Sequence, residues 1–78
     1  MYTYYIIRLD FKDGNWGYVQ WAGRGDLRLT DDPNSCMVYD TKQEASDYYY
    51  DNIGSGVTCN GSSLDRVFIT TITSQYPM

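Results

Sequence analysis

The segment from Tyr39 to Gly54 is the one stretch of this sequence with the pattern of an amphipathic helix. Thr41 followed by Glu44 is a capping-box pair: the threonine hydroxyl accepts from a first-turn N–H, and the glutamate reaches back to the cap. Gly54 can adopt the left-handed conformation that ends many helices. Helical spacing places one set of residues on the inner side: Ala45, Tyr48, Tyr49, Asn52 and Ile53. Because the other segments favour strands and turns, this single helix must cover a sheet.

The N-terminal part of the chain predicts a β-hairpin. Residues 2–11 are rich in β-branched and aromatic side chains, which favour strands. Asp13-Gly14 is typical of a two-residue type I′ turn, which requires positive φ at both positions. This turn would pair Phe11 with Trp16 and so set the register of the whole hairpin.

That register gives the hairpin two different faces. The nearly apolar face, which we expect beneath the helix, combines Tyr5, Ile7, Leu9 and Phe11 with Trp16, Tyr18, Gln20 and Ala22. The opposite face combines Tyr4, Ile6, Arg8 and Asp10 with Gly17, Val19, Trp21 and Gly23. Because one helix covers only one face of a small sheet, we expect the second face to be partly open or covered by another chain.

The remaining segments complete an α+β fold. Leu27 to Thr30 predicts a short strand, the sequence Thr30-Asp31-Asp32-Pro33 a capped helical turn, and Arg66 to Thr73 a clear strand. The polar, glycine-rich stretch 55–65 is either mobile or contains a short strand around Val57 to Cys59. We therefore predict one compact domain over residues 1–78, in the order β-β-(β)-α-β. Its antiparallel-dominated sheet, built from the N-terminal hairpin and the C-terminal strand, carries one helix on one face.

The residue types present argue against catalysis. The chain has no histidine, which excludes Cys-His and Ser-His nucleophile pairs and removes the commonest metal ligand. Asp31 and Asp32 are adjacent carboxylates, but their position suits the positive end of a helix dipole. No P-loop, GxGxxG or EF-hand spacing occurs. We therefore predict that the protein is not an enzyme, and that it has no catalytic residues, metal site or cofactor.

The cysteines and two short motifs depend on the compartment. No apolar run approaches the roughly 20 residues of a membrane-spanning helix, and no charged-then-apolar leader opens the chain. We therefore expect a cytoplasmic protein without membrane contact, in which Cys36 and Cys59 are reduced. Arg24-Gly25-Asp26 matches the integrin-binding tripeptide, and Asn60-Gly61-Ser62 matches a glycosylation acceptor. In the cytoplasm the first is interpreted as a bulge glycine between polar turn residues and the second as an Asn-Gly turn.

Two groups of residues are candidates for partner binding. Glu44, Asp47 and Asp51 form an acidic stripe on the outer side of the helix, beside Tyr50. The alternative is an ordinary solvated helix face. The open sheet face supplies Tyr4, Arg8 and Trp21, which suit base stacking or burial in a homodimer. A net charge of −4 with two lysines argues against direct nucleic-acid binding.

Residues 30–53 resemble a pattern seen in many small phage-encoded proteins, in which a small residue, an aromatic and then S/T-x-x-E-A open a helix after a short hairpin. The match here is carried by Cys36, Tyr39, Thr41, Glu44 and Ala45. Characterised proteins of this style include anti-CRISPR inhibitors and other anti-defence proteins. The resemblance implies a phage-encoded anti-defence protein. Together with the acidic helix side and the open aromatic sheet face, it leads us to expect an inhibitor that occupies a basic nucleic-acid-binding surface of a host nuclease complex. The alternatives are a single-stranded nucleic-acid-binding module and a homodimeric interaction subunit.

Overall fold

A computed structural model describes residues 1–23, 26–54, 56–59 and 61–75. One antiparallel five-stranded sheet, in the order β3-β2-β1-β5-β4, carries a single helix. The elements are β1 (Tyr2–Phe11), β2 (Trp16–Gly23), β3 (Asp26–Thr30), α1 (Lys42–Asn52), β4 (Thr58–Cys59) and β5 (Ser62–Ser74). The predicted α+β fold is therefore confirmed, and β4 is the short strand that was one of the two alternatives for the stretch 55–65.

The turn between β1 and β2 is one residue longer than predicted. The Phe11 N–H donates to the Asn15 carbonyl oxygen over 2.8 Å, and the Gly14 N–H donates to the Phe11 carbonyl oxygen over 3.1 Å. Gly14 has φ of +93°, as the last residue of a three-residue loop with a bulge requires. The Asp13 carboxylate accepts from the Asn15 N–H, which stabilises this longer loop locally. The predicted two-residue turn was therefore wrong.

The longer turn shifts the register of β2 by one residue. Leu9 pairs with Gly17, where Tyr18 was predicted. A shift of one residue moves strand side chains to the opposite face, so Val19 lies in the core with none of its surface exposed. Trp16 moves to the face away from the helix, as its contact with Arg8 shows. The predictions of an open Val19 and an inward Trp16 were both wrong.

A β-bulge in β2 shifts the alternation of its side chains by one more residue before the strand ends. Val19 pairs with Leu29 and Trp21 with Arg28, which leaves Gln20 between the two pairs without a partner in β3. An extra residue of this kind bends the strand and resets its alternation. Trp21 therefore remains on the open side, as predicted, with 43% of its surface exposed.

The segment before the helix inserts beside β1 where β2 diverges. Tyr5 and Tyr39 exchange two backbone hydrogen bonds of 2.9 Å, and the Met37 N–H donates to the Val19 carbonyl oxygen over 3.1 Å. Tyr5 therefore pairs with Tyr39, and not with Ala22 as predicted. The insertion brings the Tyr39 ring into the core, where 8% of it is exposed. Burial raises the pKa of its phenol.

The helix forms as its local sequence predicts. The Thr41 hydroxyl accepts from the Glu44 N–H over 3.1 Å, and Gly54, with φ of +72°, donates its N–H to the Tyr49 carbonyl oxygen. Ala45 and Tyr49 are buried against the sheet. The main core cluster comprises Ile7, Leu9, Phe11, Val19, Ala22, Tyr39, Ala45 and Tyr49. The helix therefore packs on the face of β1 that was predicted to receive it.

The segment after β3 is a single hydrogen-bonded turn: the capping predicted at residues 30–33 is present, but no helix follows it. The Asp32 carboxylate accepts from the Asn34 N–H and from the Ser35 hydroxyl, both over 2.9 Å. These bonds lower the pKa of Asp32, and they offer the backbone a local alternative to a helix. Proline after aspartate is equally compatible with such a turn.

Cys36 and Cys59 are free and partly buried, as predicted. Within the described ranges no helix is long and apolar enough to cross a membrane. The two short motifs, at residues 24–26 and 60–62, include positions 24, 25 and 60, which lie outside the described residues.

Candidate partner-binding surfaces

The first candidate site is the outer side of α1. We call Glu44, Asp47, Tyr50 and Asp51 the acidic helix surface; all four are exposed, and Tyr50 is 73% exposed. Seven residues of helix separate the first and last carboxylates, a distance of about 10 Å along the axis. The structure therefore brings together the four helix residues that the sequence singled out.

The charges of this surface are not neutralised locally. In the described part of the chain, Glu44, Asp47 and Asp51 form no ion pair. Asp47 accepts a hydrogen bond from the Gln43 amide over 2.8 Å, which orients the carboxylate but leaves its charge unchanged. Lys42 is the one basic residue between Thr41 and Ile53. Such a surface attracts cationic partners, and the exposed Tyr50 ring adds apolar contact area.

The second candidate site is the face of the sheet that the helix does not cover. We call Arg8, Trp16, Trp21, Arg28, Arg66 and Phe68 the open sheet surface. The two tryptophans are each 43% exposed and Phe68 is 41% exposed. The Arg8 guanidinium lies 4.4 Å from the centre of the Trp16 ring, within cation–π range. Its Nε atom also contacts Asp10 over 2.8 Å.

Cross-strand pairing explains why these side chains meet. Arg8 of β1 lies between Tyr18 of β2 and Phe68 of β5, and Asp10 lies between Trp16 and Arg66 in the next row. Opposite residues of an antiparallel pair point to the same face. An aromatic and arginine-rich surface therefore results from the registers of three strands.

A cleft extends the open sheet surface towards β3. It has a volume of about 450 Å³ and is lined by Gln20, Trp21, Asp26 and Arg28. The Arg28 Nε lies 3.9 Å from the Asp26 carboxylate, and both side chains are largely exposed. Such exposed ion pairs contribute little to stability, so Arg28 remains accessible to an anionic ligand.

Sequence reasoning identified only part of this second surface. Arg8 and Trp21 lie on it as predicted, whereas the expectation of exposed Tyr4 and Ile6 was wrong, because only 8% and 1% of these residues are exposed. Tyr4 stacks beside Tyr2, with ring centres 6.5 Å apart. The position of Trp16 on this surface was missed because it depends on the three-residue turn, where a two-residue turn was predicted. Phe68 was missed because no pairing between β1 and β5 had been assigned, although its position in an alternating strand is visible in the sequence.

Comparisons of the chain with protein-family models, with curated proteins and with solved structures find no match.

Proposed function

We propose that the protein is a small inhibitor that uses the acidic helix surface to occupy a basic, nucleic-acid-binding patch of a host nuclease complex. The observation that supports this most directly is the row of three exposed carboxylates that form no ion pair with another described residue, beside an exposed Tyr50. The phage-type pattern in residues 30–53 suggests a nuclease as the kind of partner.

The physical basis of the proposal is competition for positive charge. A patch that holds nucleic acid carries clustered lysines and arginines, which neutralise phosphates at intervals of a few ångströms. Carboxylates spaced along about 10 Å of one helix can meet several such groups together. Charge complementarity mainly accelerates association and weakens as salt rises. Tyr50 would supply the desolvated contact that slows dissociation.

The test is a charge reversal with a matched control. The double variant Asp47→Lys/Asp51→Lys changes the acidic helix surface, while Asp31→Lys/Asp65→Lys makes the same change in net charge at exposed positions outside the helix. Glu44 is left unchanged because an acidic residue in the first turn stabilises the helix. Proteins retained from host lysate on each immobilised variant are compared, and retention is then challenged with a DNA oligonucleotide.

We expect the control to retain a nuclease subunit as the parent does, and the helix double variant to lose it. The oligonucleotide and the immobilised protein should displace one another from that subunit. Equal retention by both double variants, or oligonucleotide binding that is independent of the inhibitor, would show that the helix is only a solvated face.

The open sheet surface favours a second candidate function, the binding of single-stranded nucleic acid. Exposed aromatic rings stack on bases in a sequence-tolerant way, and Arg8, Arg28 and Arg66 can neutralise phosphates. Asp10 and Asp26 offset part of that charge. Tyr4, one of the residues first proposed for stacking, is too buried to take part.

This second function predicts quenching of tryptophan fluorescence by a short single-stranded oligonucleotide, weaker at higher salt. Trp16→Ala should weaken binding several-fold, whereas Tyr50→Ala, which removes an exposed ring on the helix, should not. Unchanged affinity in Trp16→Ala would exclude the sheet as the stacking platform.

A further inference from the structure

The outer edge of β5 is the longest unpaired strand edge in the described chain. β5 pairs with β1 along almost its whole length, from Leu64 opposite Phe11 to Ser74 opposite Tyr2. On its other side it pairs with β4 through Ser62 and Ser63 alone. From residue 64 onwards no other described strand lies against this edge.

The hydrogen bonds of β1 show which groups of β5 point outwards. In an antiparallel strand, the N–H and C=O of one residue point to the same side, and successive residues alternate. Tyr5 bonds to Tyr39 and Phe11 to Asn15, both on the side of β1 away from β5. The backbone N–H and C=O groups of the even-numbered residues of β1 therefore point towards β5. Their partners in β5 include Phe68, Thr70 and Ile72, whose own backbone N–H and C=O groups point towards β1.

The intervening residues of β5 point their N–H and C=O groups away from the sheet. These residues are Val67, Ile69, Thr71 and Thr73. No hydrogen bond from their backbone groups to another described residue is found outside the sheet ladder. Four residues at alternate positions thus present a regular row of donors and acceptors.

This edge lacks the features by which strand edges avoid pairing. Exposed edges are usually protected by charged side chains, proline, bulges or shortness. Residues 67–73 read VFITTIT and contain no charge, no proline and no glycine. All seven residues are of types that favour strands. The nearest charged side chains, Asp65 and Arg66, precede the segment.

We propose that the edge pairs with β5 of a second copy of this chain, antiparallel and related by a two-fold axis through Thr70. Val67 then lies opposite the partner subunit's Thr73, and Ile69 opposite the partner subunit's Thr71. Each such pair exchanges two backbone hydrogen bonds, so the four pairs form about eight. Phe68 lies opposite the partner subunit's Ile72, an aromatic and β-branched pair of a favourable kind.

The proposed dimer does not clash with β4 or α1, the elements next to the β5 edge. In this arrangement Arg66 is the residue of β5 closest to β4 that still lies opposite the partner strand. β4 pairs with β5 only up to Ser63, three residues before Arg66 in the chain, so the two contacts do not overlap. A two-fold axis perpendicular to the sheet places both helices on the same side of a continuous ten-stranded sheet. The acidic helix surface is not part of the edge, so the dimer and the proposed inhibitory contact can exist together.

The first test measures the oligomeric state by sedimentation velocity between 1 and 500 µM, for the parent and two variants. Thr71→Lys adds a charge about 8 Å from its two-fold copy. Thr3→Lys, the control, adds the same charge at an exposed position of β1, in the strand beside β5. We expect concentration-dependent dimers for the parent and for Thr3→Lys, and monomers of 9.0 kDa for Thr71→Lys.

The second test needs no variant and follows amide hydrogen exchange of the parent above and below the dimerisation range. Amides of Phe68, Thr70 and Ile72 should be protected at both concentrations, because they bond to β1. Those of Val67, Ile69, Thr71 and Thr73 should gain protection of tenfold or more only in the dimer. A parent that stays monomeric throughout, or a dimer whose odd-numbered amides exchange freely, would overturn the proposal.

Discussion

The hydroxyl of Tyr48 offers the sharpest test of how the helix is attached to the sheet. It donates to the Ala22 carbonyl oxygen over 2.6 Å and accepts from the Ala22 N–H over 3.0 Å. Ala22 lies just beyond the β-bulge at Gln20, where β2 has diverged from β1. One side chain therefore satisfies both backbone groups of a buried strand residue.

The variant Tyr48→Phe removes both hydrogen bonds and keeps the ring, including its contact with Tyr39 at 5.5 Å between ring centres. A hydrogen bond contributes about 1 kcal/mol net, and an unsatisfied buried partner costs about 1 to 3 kcal/mol. Because the site is only partly buried, water can reach the freed groups, and we expect a loss of about 2 kcal/mol in the free energy of unfolding. A domain of this size has about 4 to 12 kcal/mol in total.

The assay is urea unfolding followed by circular dichroism, with Tyr50→Phe as the matched control. Tyr50 lies two residues further along the same helix and is largely exposed, so its hydroxyl should contribute within about 0.5 kcal/mol. For Tyr48→Phe, the expected loss corresponds to a fall in Tm of about 8 to 16 °C. A loss below about 0.5 kcal/mol with an unchanged m-value would refute the anchoring role of the hydroxyl.

Three further predictions follow from individual contacts. Gly17→Ala should reduce the free energy of unfolding by about 1 to 3 kcal/mol, because the new Cβ would lie 2.8 Å from the Leu29 Cβ; an unchanged urea midpoint would contradict this. Burial raises the pKa of Tyr39, so the stability that its neutral phenol contributes is complete below pH of about 10 and declines as pH rises above that value; unfolding from pH 8 to 11 should show a shallower decline for Tyr39→Phe than for the parent. Thiol titration of protein purified without reductant should count two thiols, with Cys36 reacting slowly because burial raises its pKa; a count of zero would indicate a disulfide.

The features that depend on interactions between nearby residues could be predicted from the sequence alone. The helix from Lys42 to Asn52 depends on a cap at Thr41, a terminator at Gly54 and an inward row that includes Ala45 and Tyr49. All of these act within a few residues of one another. The acidic helix surface was therefore predictable too, because helical spacing by itself places its residues on one side.

Sheet register depends on interactions that are individually small and close in energy. A two-residue and a three-residue loop are both compatible with Asp13-Gly14, yet they place Val19 on opposite faces. The longer loop buries Val19 and leaves Trp16 beside Arg8. The place of Trp16 on the open sheet surface thus follows from one extra residue in a turn.

The insertion of residues 37–39 beside β1 could be known only from the tertiary structure. Tyr39 is 34 residues from Tyr5 in the chain, and nothing near either residue specifies their pairing. The pairing of β1 with β2 ends at Arg8 opposite Tyr18, and the inserted segment satisfies backbone groups of β1 beyond that point. The sequence by itself determined the helix, the strand-forming segments and the acidic helix surface, through interactions within a few residues. Which strands lie together and which aromatic rings reach the surface was decided by competition among distant backbone partners, which the folded chain resolves as a whole.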